Sequence, residues 1–409
     1  MHKPTDRVQR AERSRIRVMY DLAESVDRDL IRLEVGEPDF DTPEHVVEAA
    51  AEAARGGATH YTPNAGLPAC RRAIRDTMAA DYGVEHDVDE IAVTVGGMEA
   101  LHLATLATVG PGEELLYPGP AWPNYETQAF LADGRGVEVP MPAESGFALD
   151  ADRLTERMGP ETAAVVLTTP SNPTGRVFDP DELRAVVEAA ADHDAYVVAD
   201  EVYAGLTYDR EPRGRPEEGR GTSEREEGAE RPTTREPRGI AALTGHPEHV
   251  LTVGSCSKTY AMTGWRLGWL AGDRSVLDEV VKVRESTTAC ASSVAQHAAM
   301  AALSGPQEPF EEMYEAFRRR RDYVADRIAD ADGLSAPRPE GAFYAFLDPD
   351  VGADSLPLAK YLLEEHGVVL APGSGFGTAG EGRLRLSFAN SMDRLEEGLD
   401  RIEAGIAAY

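Results

Sequence analysis

Short, continuous apolar runs alternate with amphipathic segments along most of the chain. Five of these runs are rich in β-branched residues and are bounded by polar residues or glycine, at positions 91–95, 163–169, 195–200, 249–255 and 267–272. Such runs are typical of strands that are buried on both faces. Residues 179–194 place apolar side chains three and four positions apart, which predicts an amphipathic helix. Strands and helices in alternation predict an α/β fold whose mostly parallel sheet carries helices on both sides.

The pattern changes after about residue 308. A long helical run leads into three apolar segments, at 341–348, 368–373 and 383–389, which predicts a smaller α+β unit. At 409 residues the chain exceeds the size of one ordinary domain. We therefore expect a large domain over residues 46–308 and a small domain formed by residues 1–45 together with 309–409.

Residues 209–239 fit neither unit. They contain no apolar residue larger than Ala229 and mix acidic and basic side chains with proline and glycine. Such a composition buries too little apolar surface to offset the entropy of ordering. The segment is predicted to be a hydrophilic, solvated and mobile insertion.

The charge of the chain excludes several classes of partner. The formal net charge is −31, with 72 Asp and Glu against 41 Lys and Arg, which argues against binding nucleic acid or an acidic membrane surface. The acidic excess favours a surface adapted to high salt, because screening limits self-repulsion there. The N-terminal segment lacks the apolar core of a signal peptide, and no apolar run is long enough to span a membrane, so we expect a cytoplasmic protein. The histidines and the three cysteines show no ligand spacing, and no metal is expected.

Lysine is scarce in this chain, yet one lies inside an unusual motif. Four of the 41 basic residues are lysines, and Lys258 belongs to the segment GSCSKTYAMTGWRLGW. A lysine that leaves water can form an imine with a carbonyl compound. The flanking Ser255, Ser257 and Arg266 supply hydroxyls and a guanidinium, which suit a phosphate dianion. A phosphate-bearing aldehyde fits both halves of the motif, and pyridoxal 5′-phosphate is the obvious candidate.

The other groups that this cofactor needs follow predicted strands. Asp200 ends the run 195–200 and is suited to keep the pyridine nitrogen protonated. Tyr203 and Asn172 are suited to donate hydrogen bonds to the phenolic oxygen of the ring. Both follow a strand end, where open α/β sheets bind their ligands.

Two further segments are suited to the phosphate and to the face of the ring. In TVGGMEALHLATL a strand, a Gly-Gly turn and a helical pattern follow one another, so the N–H groups of Gly97 and Met98 would form an anion site at a helix N-terminus. Trp122 of YPGPAWPNYE could stack on the ring, and a core tryptophan is the alternative.

Together these motifs resemble the pyridoxal-phosphate-dependent aminotransferases of the aspartate aminotransferase family (class I/II, fold type I). Eight segments match in the family's order and cover nearly the whole chain: VGEPDF, HYTPNAG, VGGMEAL, SNPTG, DEVY, SCSKTYAMTGWRLGW, GAFY and RLRLSFA. The resemblance implies a large domain with a mostly parallel seven-stranded sheet. It also implies that Lys258 is the Schiff-base lysine, Asp200 the pyridinium partner, and Asn172 and Tyr203 the donors to the phenolic oxygen.

The resemblance assigns roles to residues that were already singled out, and it adds others that composition and spacing do not indicate. Gly97, Met98, Ser255, Ser257 and Arg266 would bind the phosphate. Tyr61 would reach the phosphate of a neighbouring subunit, which implies a homodimer with composite sites. Gly36, Asn172 and Arg385 would bind the substrate, with Arg385 holding its α-carboxylate.

The implied reaction is a ping-pong transfer of an amino group from an L-amino acid to a 2-oxo acid, with 2-oxoglutarate as the expected acceptor. Lys258 would move a proton as general base and acid. Met98 is apolar where some aspartate-specific relatives carry lysine, which favours neutral or aromatic substrates, and the segment SRIRVMYDLA resembles archaeal aromatic and broad-specificity members.

Three alternatives remain open. The protein could be an aspartate aminotransferase, with an arginine of RSRIRVMYDLA supplying the second cation. It could be a pyridoxal-phosphate-dependent C–S lyase or synthase, because the fold does not determine the reaction type. A non-catalytic regulator is the third alternative, and the short stretch before VGEPDF disfavours it.

Overall fold

The computed structural model describes residues 14–208 and 239–409. The predicted insertion 209–239 therefore lies outside the described residues, apart from Gly239. Within the described ranges, no helix combines the length and the apolarity that crossing a bilayer requires.

The helices follow the amphipathic segments. Residues 179–194, predicted as a helix, form Pro180–Asp192, with the Asp179 side chain accepting the first-turn N–H of Asp181 and Pro180 at the first helical position. In the described ranges the α-helices are α1 (Arg15–Glu24), α2 (Glu44–Arg55), α3 (Pro68–Thr77), α4 (Gly96–Thr108), α5 (Asn124–Leu131), α6 (Ala151–Thr155), α7 (Pro180–Asp192), α8 (Cys256–Thr259), α9 (Arg274–Glu285), α10 (Ser293–Ser304), α11 (Glu308–Asp330), α12 (Ser355–Tyr361) and α13 (Met392–Ala408).

The strands form one large sheet and two smaller ones. In the same ranges they are β1 (Ile31–Arg32), β2 (Ile91–Thr94), β3 (Glu114–Gly119), β4 (Arg135–Pro140), β5 (Thr162–Thr168), β6 (Tyr196–Asp200), β7 (Val250–Ser255), β8 (Gly268–Ala271), β9 (Leu334–Ser335), β10 (Tyr344–Pro349), β11 (Val368–Val369), β12 (Ala371–Pro372) and β13 (Leu384–Ser387). Seven of them form a sheet in the order β2-β8-β7-β6-β5-β3-β4. In that sheet β8 runs in the direction opposite to the other six strands. The predicted mostly parallel, seven-stranded sheet is confirmed.

Both faces of this sheet are buried, which explains why its strands are continuously apolar. Val197 belongs to a cluster that includes side chains of α2, α3, α7 and α10. The next residue, Val198, belongs to a second cluster with side chains of α4, α5 and α9. Because successive side chains of a strand point to opposite faces, neighbouring positions of β6 enter different cores.

A third apolar cluster is drawn from both ends of the chain. It joins Met19 of α1 and Leu33 with Phe317 of α11 and Leu399 of α13. Beside it, β12, β13, β10 and β9 form a four-stranded sheet, and β1 pairs in parallel with β11. The same cluster contains Tyr203, which follows the central strand β6. The end of β6 therefore lies where this cluster meets the large sheet, whereas the expected domain boundaries stay a prediction.

Candidate active site

A cavity of about 640 Å³ lies at the carboxyl ends of the central parallel strands. Thr168, Asp200 and Ser255, the last residues of β5, β6 and β7, all line it. Of the residues predicted for the site, the cavity brings together Gly36, Gly97, Met98, Trp122, Asn172, Asp200, Tyr203, Ser255, Ser257, Lys258, Arg266 and Arg385. Tyr61 is not among its lining residues, and the Tyr61 side chain is 91% exposed.

Lys258 lies in the short helix α8 directly after β7. Its Nζ donates a hydrogen bond to the carbonyl oxygen of Gly36 at 2.5 Å. Burial lowers the pKa of Lys258 to about 8; the positive charges of Arg385 and Arg266 lower it too, whereas the nearby carboxylates oppose the shift. A larger fraction of this amine is therefore neutral near pH 7 than for a lysine in water, and the neutral amine is the nucleophilic form.

Asp200 is a buried carboxyl group held by two donors. Tyr125 donates to its Oδ2 at 2.6 Å, and the Val202 N–H lies 3.4 Å from its Oδ1. Burial raises the pKa of Asp200, and the hydrogen bond from Tyr125 counteracts the rise. The Tyr125 hydroxyl also lies 2.5 Å from Oγ1 of Thr168. Sequence reasoning missed Tyr125; the available signal was a second aromatic residue three positions after Trp122.

The predicted phosphate donors form a tight cradle at the start of α4. Gly96 has φ of +75°, and a Cβ built there would lie 2.6 Å from Nη2 of Arg266. A Cβ on Gly97 would lie 3.1 Å from the Val202 side chain. The cradle thus depends on the small size of both glycines, and a guanidinium lies against the beginning of the helix. Helix N–H groups and a guanidinium are the donors that a phosphate dianion requires.

The two serines complete this donor set. The Ser255 hydroxyl lies 2.9 Å from the hydroxyl of Ser257 and accepts the Ser257 N–H at 3.1 Å. The Arg266 guanidinium is oriented by the carbonyl of Thr263, to which its Nη1 donates at 2.9 Å. Arg266 itself has φ of +53°, a conformation that side-chain-bearing residues seldom adopt, so its orientation depends on the surrounding structure.

Arg385 of β13 places a second guanidinium in the wall of the cavity. It is 3% exposed, and it donates to Oδ1 of Asn172 at 2.9 Å and to the carbonyl of Glu34 at 2.6 Å. Its buried Nε has no hydrogen-bond partner among the described residues. A Cβ on Gly36 would lie 3.7 Å from Nη2 of the guanidinium. This geometry leaves a rigid guanidinium donor available to a small carboxylate.

Aromatic side chains complete the walls. The Tyr203 hydroxyl lies 2.8 Å from that of Tyr344, and burial raises the pKa of Tyr203 well above its usual value. The Arg385 guanidinium lies over the Tyr344 ring at 4.4 Å. Trp122 is half-buried and packs edge-on against Tyr125 with ring centroids 5.7 Å apart. The sequence assigned no role to Tyr344, although the segment GAFY contributed to the resemblance.

The remaining wall comes from Met98 and the start of α1. The Asn124 and Gln128 amide groups approach the Met98 sulfur at 3.7 and 3.6 Å. Arg17 and Tyr20 also line the cavity, and the Arg17 guanidinium lies 5.0 Å from the centre of the Tyr20 ring. Of the two described arginines in the segment RSRIRVMYDLA, Arg17 lines the cavity and Arg15 does not.

A doubly covered, mostly parallel sheet with a cavity, a lysine and a buried carboxyl group at its strand ends is typical of an enzyme that binds a small ligand there. The chain belongs to the class I and II aminotransferases, because the model of that family matches residues 28–402. The protein is therefore an aminotransferase, as the resemblance implied.

Individual relatives agree with this assignment. The chain is 37% identical to an aspartate aminotransferase of Pyrococcus abyssi over 98% of this chain and 97% of the relative. It is 36% identical to the aromatic-amino-acid aminotransferase 2 of Thermococcus litoralis over the same shares. Among solved structures, the aspartate aminotransferase of Thermus thermophilus with maleate matches 99% of this chain and 100% of its own, with 35% identity and a TM-score of 0.87.

Proposed function

We propose that this aminotransferase uses pyridoxal 5′-phosphate to move an amino group from an L-amino acid to a 2-oxo acid in a ping-pong reaction. The observation that carries the proposal is that Lys258, with its lowered pKa, shares one cavity with the buried Asp200 and two separate groups of anion donors. When bound, the cofactor would supply an aldehyde for the amine and a ring that accepts the electron pair left at the substrate's Cα.

Different residues of the chain would bind the cofactor and the substrate. Gly97, Met98, Ser255, Ser257 and Arg266 would hold the phosphate, and Asp200 would keep the pyridine nitrogen protonated. Tyr203 and Asn172 would donate to the phenolic oxygen, with Trp122 against the face of the ring. Arg385, with Asn172 and Gly36, would orient the substrate's α-carboxylate. Lys258 could then remove a proton from Cα of the amino acid in the first half-reaction and give a proton to Cα of the oxo acid in the second.

The direct test is Lys258→Ala. We expect it to abolish amino transfer to 2-oxoglutarate and to remove the visible absorbance that the cofactor gains when it reacts with the lysine, while the far-ultraviolet circular dichroism stays unchanged. Lys282→Ala is the matched control, because the Lys282 side chain is 66% exposed on α9. Normal transamination by the Lys258→Ala variant would refute the proposed function.

For the substrate, we propose a preference for neutral or aromatic amino acids. The apolar Met98 supports this preference, because a second carboxylate would gain no charged partner from that position. Aspartate is the second candidate, and it is favoured by Arg17 in the cavity wall and by the names of several relatives. Steady-state rates with alanine, aspartate, tyrosine, phenylalanine and leucine in high salt will separate the two. A kcat/KM for aspartate about tenfold above the others would overturn the preference.

We also propose that the protein is a homodimer in which Tyr61 reaches the neighbouring phosphate site. The high exposure of Tyr61 supports this role, since an exposed tyrosine that does not line its own cavity has room to contact another chain. The cytoplasmic location and the adaptation to high salt remain predictions from the sequence. The lyase or synthase alternative gains no support, because the relatives are named aminotransferases.

A further inference from the structure

A fully buried arginine lies behind the phosphate cradle. Arg284 of α9 has 0% side-chain exposure, and its Nε lies 3.4 Å from Oε1 of Glu99. Burial lowers the pKa of Arg284 and the Glu99 carboxylate opposes that shift. The Arg284 guanidinium stays protonated in spite of this burial, because the usual pKa of arginine lies far above neutrality. The interior behind the cavity therefore holds a fixed positive charge.

Its partner, Glu99, lies in the first turn of α4. One carboxylate oxygen accepts the N–H of Val95, the residue that caps the helix, at 2.5 Å. The other oxygen accepts hydrogen bonds from Arg284 and from the Thr288 hydroxyl. Glu99 thus fixes the start of the helix whose N–H groups are proposed to bind phosphate.

The position of Glu99 has an electrostatic cost. A carboxylate within one turn of an anion site repels a phosphate dianion and competes for the same helix end. The positive charge of Arg284 cancels this repulsion only while the two groups remain paired. Because both side chains are almost completely buried, solvent screening between them is weak.

Arg284 also connects the cradle to the loop that carries Tyr61. Its Nη1 donates to the carbonyl oxygens of Asn64, at 2.6 Å, and of Val93. The Asn64 side chain in turn donates to the carbonyl of Ala289 at 3.2 Å. One guanidinium therefore links the start of α4, the end of β2 and the exposed loop near Tyr61.

We propose that Arg284 is a positioning residue for the cofactor phosphate, which neutralises Glu99 at the start of α4 and anchors the loop that carries Tyr61. This inference rests on the proposed function, because it assumes that the cradle binds a phosphate. It assigns Arg284 no contact with the cofactor. The competing interpretation is that Arg284 and Glu99 form a purely structural ion pair. The two interpretations predict different affinities for phosphate when both charges are removed.

The experiment compares Arg284→Met, Glu99→Gln and the double variant by titrating each apoenzyme with pyridoxal 5′-phosphate and, separately, with inorganic phosphate. We expect Arg284→Met to raise both dissociation constants about tenfold, because it leaves the Glu99 charge unpaired beside the anion. The double variant should return to within about threefold of the wild type, because glutamine can still accept the Val95 N–H without a negative charge.

Arg157→Met is the control for a general loss of stability. Arg157 pairs with Glu114 at 2.7 Å, and Glu114 begins β3 at the opposite end of the sheet from the cavity. We expect this variant to keep the wild-type affinity for both ligands. A double variant that binds no better than Arg284→Met would overturn the proposal, since lost packing would then explain the whole effect.

If Arg284→Met does not fold, Glu99→Gln alone carries the test. It leaves the Arg284 charge uncompensated near the cradle, so inorganic phosphate should bind about threefold more tightly than to the wild type. Unchanged or weaker binding would overturn the inference. A wild-type protein that binds no pyridoxal phosphate would instead contradict the proposed function, so the two failures are distinguishable.

Discussion

Two acidic residues follow one another at the end of β6, and their surroundings differ. Asp200 faces the cavity and receives a hydrogen bond from Tyr125. Glu201 faces away from it, is 1% exposed, and accepts the Ile240 N–H at 2.7 Å through one oxygen. Its other oxygen has no partner among the described residues. The neighbour of a proposed cofactor ligand is therefore a buried acid with no paired cation among residues 14–208 and 239–409.

We predict that Glu201 makes the free energy of unfolding depend on pH. Burial, together with the charge of Asp200, raises the pKa of Glu201 to about 8 in the folded protein. The folded state holds a proton that the unfolded state releases above its usual pKa of about 4.3. The contribution of this group to stability is thus fully present below that value and is lost as the pH rises through 8.

The measurement is the urea unfolding free energy of wild type and Glu201→Gln from pH 5 to 9. Glutamine keeps an oxygen that can accept the Ile240 N–H. As the pH rises, the unfolding free energy of the variant should increase relative to that of the wild type by at most about 1.4 kcal/mol per pH unit. Parallel curves for the two proteins would show that Glu201 ionises normally.

At the scale of the element, the beginning of α4 should tolerate no side chain at Gly96. An alanine there would adopt a positive φ and place its Cβ against the Arg266 guanidinium. We predict that Gly96→Ala lowers the unfolding free energy by about 1–3 kcal/mol and weakens pyridoxal phosphate binding, because the displaced guanidinium leaves the cradle.

Gly112→Ala provides the matched control. Gly112 also has a positive φ, of +87°, but a Cβ there would meet nothing within 4 Å. The Gly112→Ala variant should therefore lose stability through backbone strain but keep its affinity for the cofactor. Equal affinity in the two alanine variants would mean that the contact with Arg266 does not shape the cradle.

The strands inside the sheet were predictable because both of their faces are buried, so an unbroken apolar run marks each of them. The strand β4 was not predictable, because this edge strand, Arg135–Pro140, is only partly buried and contains glycine, glutamate and proline. Lys258 and Asp200 stood out by their chemistry. Arg284 and Tyr125 did not, because their positions in ordinary helical sequence give no sign that tertiary packing turns them toward a buried polar group.

At the scale of the whole molecule, the exposed Tyr61 should act in another subunit. We predict that a mixed dimer of wild type with Lys258→Ala keeps about half of the wild-type activity, because one complete site remains. A mixed dimer of wild type with a Tyr61→Phe/Lys258→Ala chain should be less active at limiting cofactor. The one site that keeps Lys258 lies in the wild-type chain, and the variant chain would supply the substituted residue 61 to it.

Tagged chains allow both mixed dimers to be purified and titrated with pyridoxal phosphate. Equal cofactor requirements in the two preparations would show that Tyr61 does not serve the neighbouring site. A fully active monomer in sedimentation would also contradict the composite site.

The burial of Arg385 has a consequence for how substrates arrive. A chain with a formal net charge of −31 repels the anionic oxo acid substrate from a distance, whereas the guanidinium that would receive its carboxylate is 3% exposed. Dissolved salt shortens the range of that repulsion to about 3 Å at 1 M but reaches the buried guanidinium poorly. Association should therefore become faster as the medium becomes more saline, the reverse of the usual behaviour when an anion is drawn to an exposed cationic surface.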